Sequence, residues 1–178
     1  GREHALAWKI SQSPLVVNVY VTSENPGFPE NCVCVDEPVE FAIRNRVGLV
    51  VVGPEAPLAE GVADKLRAAE IPVLGPSAEA AQLESSKAFA KAFMDRHHIP
   101  TAAWSVHENA QSAHAAITGP CVIKADGLAG GKGVVVAHDP QHAHDAVEEI
   151  FAGRFGEAGQ RVIVEELLIG EEVSIIAL

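Results

Sequence analysis

The densest chemical signal in the sequence is Lys124-Ala125-Asp126-Gly127-Leu128-Ala129-Gly130-Gly131-Lys132-Gly133, a ten-residue segment with four glycines and a lysine near each edge. Glycines let a backbone come close to a ligand and aim amide N–H groups at it, which is how such loops hold phosphate. The spelling is not that of a Walker A loop. Three residues separate Gly127 from Gly131-Lys132, Gly133 stands where a hydroxyl residue is required, and a strand rather than a helix is expected next. Read alone, the segment is also compatible with a plain hairpin turn.

A second signal is Val164-Glu165-Glu166-Leu167-Leu168-Ile169-Gly170-Glu171-Glu172, where carboxylates flank an apolar stretch. A nucleobase needs an apolar slot with an amide edge, and a ribose needs a carboxylate acceptor, so this stretch has the chemistry for both. A solvated acidic strand end is the plainer reading. Lys87 falls in the first turn of a helix expected to be capped by Ser85 or Ser86, where a cation opposes the helix dipole unless an anion is present. Nearer the start, Gly53-Pro54-Glu55-Ala56-Pro57-Leu58 follows a buried strand, at the end where open α/β sheets bind ligands. Gly1-Arg2-Glu3-His4 precedes a helix and has the form of the tail of a phosphate loop.

The elements that must position these residues alternate along the chain. A helix is expected at Ala5–Ile10, strands at Leu15–Val21 and Val47–Val52, helices at Asp36–Arg46 and Ala59–Glu70, and a strand at Val73-Leu74. Runs apolar on both faces, separated by helices, belong to a doubly wound parallel sheet. Helices are then expected from Ser77 to Leu83 and from Ser85 or Ser86 to His97, the second burying Phe89 and Phe93. Beyond Pro100 the rhythm changes to strand Ala102–Val106, helix Asn109–Ile117, strand Cys121–Lys124, the glycine turn, strand Val134–Ala137, helix Gln141–Phe151 and strand Arg161–Glu165. Glu172–Leu178 reads as one more strand. The expected domains are 1–75, a Rossmann-like unit; 76–100, connecting helices; 101–165, a small α+β subdomain; and 166–178, the start of another subdomain.

Bulk composition narrows the function classes. The 178 residues are 48% hydrophobic with 15 glycines, as expected of an α/β protein with a real core. A net charge of −11 argues against tracking a nucleic-acid backbone, which takes clustered Lys and Arg. No apolar run approaches the roughly 20 residues that span a bilayer, so a cytoplasmic location and no membrane partner are expected. Cys32, Cys34 and Cys121 suit neither a disulfide framework nor a zinc site and are expected to be reduced and mostly buried. His97-His98 and His142 with His144 are expected on solvated helix surface.

Taken together, Gly1 to Lys9, Val51 to Leu58, Gly75 to Lys87, Lys124 to Gly133 and Glu165 to Glu172 resemble, in order, the blocks of the phosphoribosylamine–glycine ligase family, also called glycinamide ribonucleotide synthetases. The resemblance covers nearly the whole chain. It implies a Rossmann-like N-terminal domain followed by the first part of an ATP-grasp α+β module. The implied reaction joins glycine to 5-phosphoribosylamine with ATP, giving glycinamide ribonucleotide, ADP and phosphate through a glycyl phosphate. It implies ATP phosphates on Lys87 and Lys124, with Gly127, Gly130, Gly131, Lys132 and Gly133 closing over them. The base would lie at Glu165, Glu166, Leu167 and Leu168, and the ribose at Glu172. Gly1, Arg2, Glu3, Gly53, Pro54, Glu55 and Pro57 would help to bind the phosphoribosyl substrate.

The sequence departs from that family in three places. No strand and Gly-x-Gly stand before Gly1, Ser23 to Cys34 is short and lacks a Pro-Gly-Asn-x-Gly spelling, and the C-terminal half that carries the family's Mg2+ ligands is not present. No metal ligand is therefore assigned and the catalytic residues stay open, with ATP and Mg2+ as the expected cofactors and fusion to other purine-biosynthesis domains left open. Two rivals remain: another ATP-grasp ligase or carboxylase, which would share the lysines and the carboxylates, and a non-catalytic nucleotide-binding module.

Overall fold

The computed structural model describes residues 1–22 and 25–176. They fall into two compact units, Gly1–Ala81 and a second from Gln82 onward. The break falls inside the 76–100 stretch expected to connect the domains, and the 87–96 helix is bonded to Asp126 and Glu165 of the second unit.

The first unit contains α1 (Arg2–Ser11), β1 (Val19–Val21), β2 (Cys32–Cys34), α2 (Pro38–Arg44), β3 (Val50–Val51), α3 (Glu55–Ala59), α4 (Val62–Ala68) and β4 (Val73–Leu74). β1 pairs with β2 and β3 with β4, both in parallel, with Val19 opposite Cys32 and Val50 opposite Val73. β3 and β4, joined through α3 and α4, have the parallel crossover of a doubly wound arrangement, whereas no helix is described between β1 and β2. Ala42, Leu66 and Ile71 form its core with Val39, Val47, Val50 and Val73 around them.

The elements here are shorter than the apolar runs, and each shortening has a local cause. Leu15–Val21 was expected to be one strand, but only Val19–Val21 is. The Leu15 and Val16 amides are spent on the Ser13 hydroxyl and carbonyl in a turn at Pro14, leaving Leu15 91% and Val17 89% exposed. Val47–Val52 shortens to Val50–Val51 because the Val47 amide closes the end of α2 on the Ala42 carbonyl, with Arg46 left-handed at φ 47°. The helix expected at Ala59–Glu70 is cut by Gly61, whose φ of 80° ends one helix and opens the next. β2 was not foreseen at all. It leaves Cys32 half-buried and Cys34 exposed, so only Cys121 meets the expectation of a buried thiol.

α5 (Ala78–Ser85) leads into the second unit, which contains α6 (Lys87–Arg96), β5 (Trp104–His107), α7 (Ala110–Ala116), β6 (Cys121–Ala125), β7 (Val134–Ala137), α8 (Pro140–Glu149) and β8 (Val162–Glu166). A π-helical turn, Ile150–Arg154, and a 3-10 turn, Gly156–Gly159, connect α8 to β8. The four strands form one antiparallel sheet in the order β5-β8-β6-β7. Strand side chains alternate between faces. One face, carrying Cys121, Ile123, Ala125, Ala137, Val162 and Val164, packs with Ala113 of α7 and Ala143, Ala146 and Val147 of α8. The alternation puts Val122, Lys124, Val134, Val136, Ile163 and Glu165 on the opposite face, where Val134 and Val136 are more than two-fifths exposed.

The strand expected at Glu172–Leu178 is not formed over its described residues. Val173, Ile175 and Ile176 are exposed, and no described strand supplies a ladder partner; Ala177 and Leu178 lie outside the described residues. Phe89 and Phe93 are half-buried, and the buried residue of α6 is instead Lys91. His144 is not on the solvated surface foreseen for it. Its Nδ1 lies 2.6 Å from the Nδ1 of His114, whose Nε2 is 2.7 Å from Glu148, so the three tie α7 to α8.

One buried carboxylate organises the start of α6. The Ser86 hydroxyl caps the helix by accepting from the Phe89 amide at 3.2 Å and itself donates to Asp126 at 3.1 Å. Asp126 also accepts from the Ala88 amide at 2.8 Å and from the Arg161 guanidinium. We expect Asp126→Ala to destabilise the chain by about 1–3 kcal/mol, the cost of losing a cap and orphaning its donors. Chemical denaturation with an unchanged m-value measures it, and Asp126→Asn should lose less.

Candidate functional site

The sheet register makes Lys124 and Glu165 diagonal neighbours, since Lys124 stands opposite Ile163, two residues before Glu165 on the same face. Lys124 Nζ donates to Glu165 Oε2 at 2.8 Å, and Lys91 Nζ reaches the same oxygen at 3.0 Å. Glu165 is 5% exposed, and its other oxygen, Oε1, is buried with no hydrogen-bond partner. An ionised carboxylate oxygen without a donor costs free energy in a protein interior, so Oε1 is an acceptor in want of an N–H or O–H.

Lys87 stands at the root of the glycine segment. Its Nζ donates to the carbonyls of Gly127 at 3.0 Å and Asp126 at 3.4 Å. Burial lowers its pKa from the ordinary 10.5. Asp126 opposes that shift, Lys124 adds to it, and Glu84 and Glu165 oppose it. Lys87 therefore lies within electrostatic reach of Lys124 and Glu165, and an anion placed between the lysines would relieve their repulsion. The anion required at this helix start is already present in part, as the Asp126 carboxylate against the Ala88 amide.

The glycine segment is held at its roots and open at its tip. A Cβ on Gly127 would come within 2.8 Å of Ala158, and one on Gly133 within 2.6 Å of the Ala129 Cβ. Gly127 donates to the Ala158 carbonyl at 3.2 Å, and Ala125 to the Gly133 carbonyl at 2.8 Å. At the tip, Gly130 and Gly131 have φ of 58° and 77° with nothing near an added Cβ, and Lys132 is exposed. The tip can approach a ligand without displacing the sheet.

Not every expected residue joins this cluster. Glu166 is tied back to β5, its amide donating to the Ala103 carbonyl at 2.9 Å and its carboxylate accepting from the Ala103 amide at 3.4 Å. Glu165 and Glu166 also line a cleft of about 350 Å³ with Trp104, Ser105, Pro120 and Cys121, to which neither Lys87, Lys124 nor the glycines contribute. Leu167 is half-buried, Leu168 is 65% exposed, and Glu172 lies in an exposed segment without regular structure. Among the described residues, no three His, Cys, Asp or Glu side chains converge to hold a metal ion, and no helix is long and apolar enough to cross a membrane.

In the first unit, the Arg2 guanidinium donates to both Glu55 oxygens, at 2.8 and 3.3 Å, and contacts Glu3 at 3.4 Å. The hydrogen bond from Arg2 lowers the Glu55 pKa, while the Glu3 pKa is lowered first by its own backbone amide and then by Arg2. A Cβ on Gly53 would lie 3.3 Å from the Glu3 carboxylate. Gly53, Glu3, Arg2 and Glu55 thus share one exposed patch, with Pro54 capping α3 and Pro57 within it.

Three residues of the second unit were not foreseen: Lys91, Asp126 and Arg161. Lys91 left a signal, because a cation four residues after Lys87, amid Ala and Phe, breaks the apolar pattern of α6. Asp126 and Arg161 left none, since their pairing across 35 positions depends on the fold.

Comparison with known proteins follows the same division. The family model described as phosphoribosylglycinamide synthetase, N domain, matches residues 1–84, and the one described as phosphoribosylglycinamide synthetase, ATP-grasp (A) domain, matches residues 85–178. The phosphoribosylamine–glycine ligase of Phenylobacterium zucineum is 52% identical over all of this chain, and that of Rhizobium meliloti 51%. The chain spans 44% of the length of each. The crystal structure of the Thermotoga maritima phosphoribosylamine–glycine ligase superposes with a TM-score of 0.77 at 27% identity, covering 96% of this chain and 42% of that one. A biotin carboxylase domain from Hydrogenobacter thermophilus shares the fold, with a TM-score of 0.62 at 19% identity. A chain whose two units match the N and ATP-grasp domains of one enzyme, at about half identity to relatives along its whole length, belongs to the phosphoribosylglycinamide synthetase family.

Proposed function

We propose that this chain is the nucleotide-holding part of a ligase that joins glycine to 5-phosphoribosylamine, converting ATP to ADP and phosphate through a glycyl phosphate. The observation that carries the reading is that Lys87 donates to the Gly127 carbonyl at the root of the glycine segment, while Lys124 shares a sheet face with Glu165, which keeps a bare acceptor. Two ammonium groups and open backbone amides suit a triphosphate, and a buried carboxylate oxygen suits an N–H donor on the base. Glu165 to Leu168 would receive the base and Glu172 the ribose.

The chemistry gives the layout its sense. A carboxylate is a poor electrophile and must become an acyl phosphate before an amine attacks it, and that species hydrolyses in water. A glycine tip free to close over the phosphates, on fixed roots, would exclude solvent at that stage. Gly1, Arg2, Glu3, Gly53, Pro54, Glu55 and Pro57 would serve the phosphoribosyl substrate. Arg2 is already neutralised by Glu55, so it would either orient the sugar through Glu55 or exchange that partner for the phosphate. ATP-grasp ligation uses Mg2+ to bridge and neutralise phosphates. The described residues offer no ligand set for it, so it would be held by groups outside them. A cytoplasmic setting suits such substrates.

The direct test is phosphate release by the full-length protein. It should require glycine and phosphoribosylamine together, and release that instead requires bicarbonate would overturn the reading. Lys124→Ala should weaken ATP binding by roughly 1.5–3 kcal/mol, the range for a charge-assisted contact, measured by titration calorimetry. Because burial has lowered the Lys87 pKa below 10.5 and a bound phosphate favours the ammonium, affinity should fall as pH rises through that lowered value. In Lys87→Met that fall should flatten.

A further inference from the structure

Lys91 is the buried member of α6, with its side chain 8% exposed. A lysine ammonium has three N–H donors, and here each has an acceptor: Thr101 Oγ1 at 2.7 Å, Glu165 Oε2 at 3.0 Å and the Ala102 carbonyl at 3.4 Å. Its donors are therefore consumed by the protein, and it has none left for a ligand. Lys124 differs. It is one-quarter exposed and shares only Glu165 Oε2, so it keeps donors free on the open face of the sheet.

The charges make the arrangement meaningful. Two ammonium groups meet one carboxylate, leaving a net positive charge at the exposed member. Without Lys91, Glu165 would neutralise Lys124 instead, and the carboxylate would lose one of the two donors that fix its rotamer and leave Oε1 bare. We propose that Lys91 is a positioning residue of the nucleotide site: it neutralises Glu165 from the protein interior, so that Lys124 presents an uncancelled positive charge to a polyphosphate. The inference rests on the nucleotide-binding reading above and adds to it a residue that does not itself touch the nucleotide.

Inorganic tripolyphosphate is the suitable probe, because it reads the charge at Lys124 without engaging the base pocket. In the full-length protein, Lys91→Met should weaken tripolyphosphate binding by about tenfold, the size of one charge-assisted contact. Glu165→Gln should tighten it, and Lys91→Met/Glu165→Gln, which restores the wild-type charge count, should return it to within about threefold of wild type, inside the context-dependence of a single hydrogen bond. A residue needed only for packing would not be rescued by its partner's neutralisation. Should Lys91→Met fail to fold, the double variant and Glu165→Gln carry the test, since the latter must bind more tightly than the former. If Lys124→Ala leaves tripolyphosphate affinity unchanged, the nucleotide reading falls and this inference with it. If Lys124→Ala weakens binding while Lys91→Met matches wild type, or the double variant stays as weak as Lys91→Met, the nucleotide reading stands and the role of Lys91 is wrong.

Discussion

The second unit is organised around a buried carboxylate that serves two lysines at one oxygen and nothing at the other. Taking Glu165 and Lys91 out of water is expensive, and their attraction offsets that only if the remaining donors are satisfied, which Thr101 and the Ala102 carbonyl do for Lys91. The bare Oε1 is the unbalanced part. Natural interiors rarely tolerate such an atom without a use for it. The sheet register places Lys124 and Glu165 diagonally, and α6 brings Lys91 to the same Glu165 oxygen. Register and helix position therefore act together, and a one-residue slip of β8 would turn Glu165 to the helix-covered face and scatter the cluster.

Asp126 performs a parallel task just past the end of β6 in the same sheet. It ends β6, begins the glycine segment, holds the first turn of α6 and meets Arg161 just ahead of β8. Four pieces of chain thus converge on one carboxylate. The placement of Lys87 follows from it, because its ammonium can reach the Gly127 carbonyl only while the first turn of α6 is held there.

Much of this was legible in the residues. The glycine segment between strands, the Ser86 cap, Val134–Ala137 and the alternation of strands with helices follow from local rules of turn and cap chemistry. The family blocks could be read in order; Lys124 meets Glu165, and Lys87 meets the glycine segment at the Gly127 carbonyl. The failures have a common cause. Leu15–Val21 and Val47–Val52 look like long strands because apolar runs were read without asking where each amide goes, and helix ends and turns had already claimed several of them. The plainer reading of Glu165 as a solvated acidic strand end fails, because it is interior, and Lys91, which is equally buried, carried no expectation. Charge alone suggests exposure, yet here each charge is the reason the other can be buried. Glu172 stays apart from the lysines because the segment that carries it has no described strand to pair with.

The contrast between the rooted ends and the open tip of the glycine segment bears on how the chain breaks as well as how it binds. A peptide bond cut between Gly130 and Gly131 would sever no strand and disturb no core contact, since nothing packs there, whereas Gly127 and Gly133 would stay clasped to the sheet. Limited proteolysis at the tip would therefore yield a nicked molecule that migrates as a native species, and, on the proposed phosphate-holding role, occupancy of the site would show as resistance of that one bond to cleavage.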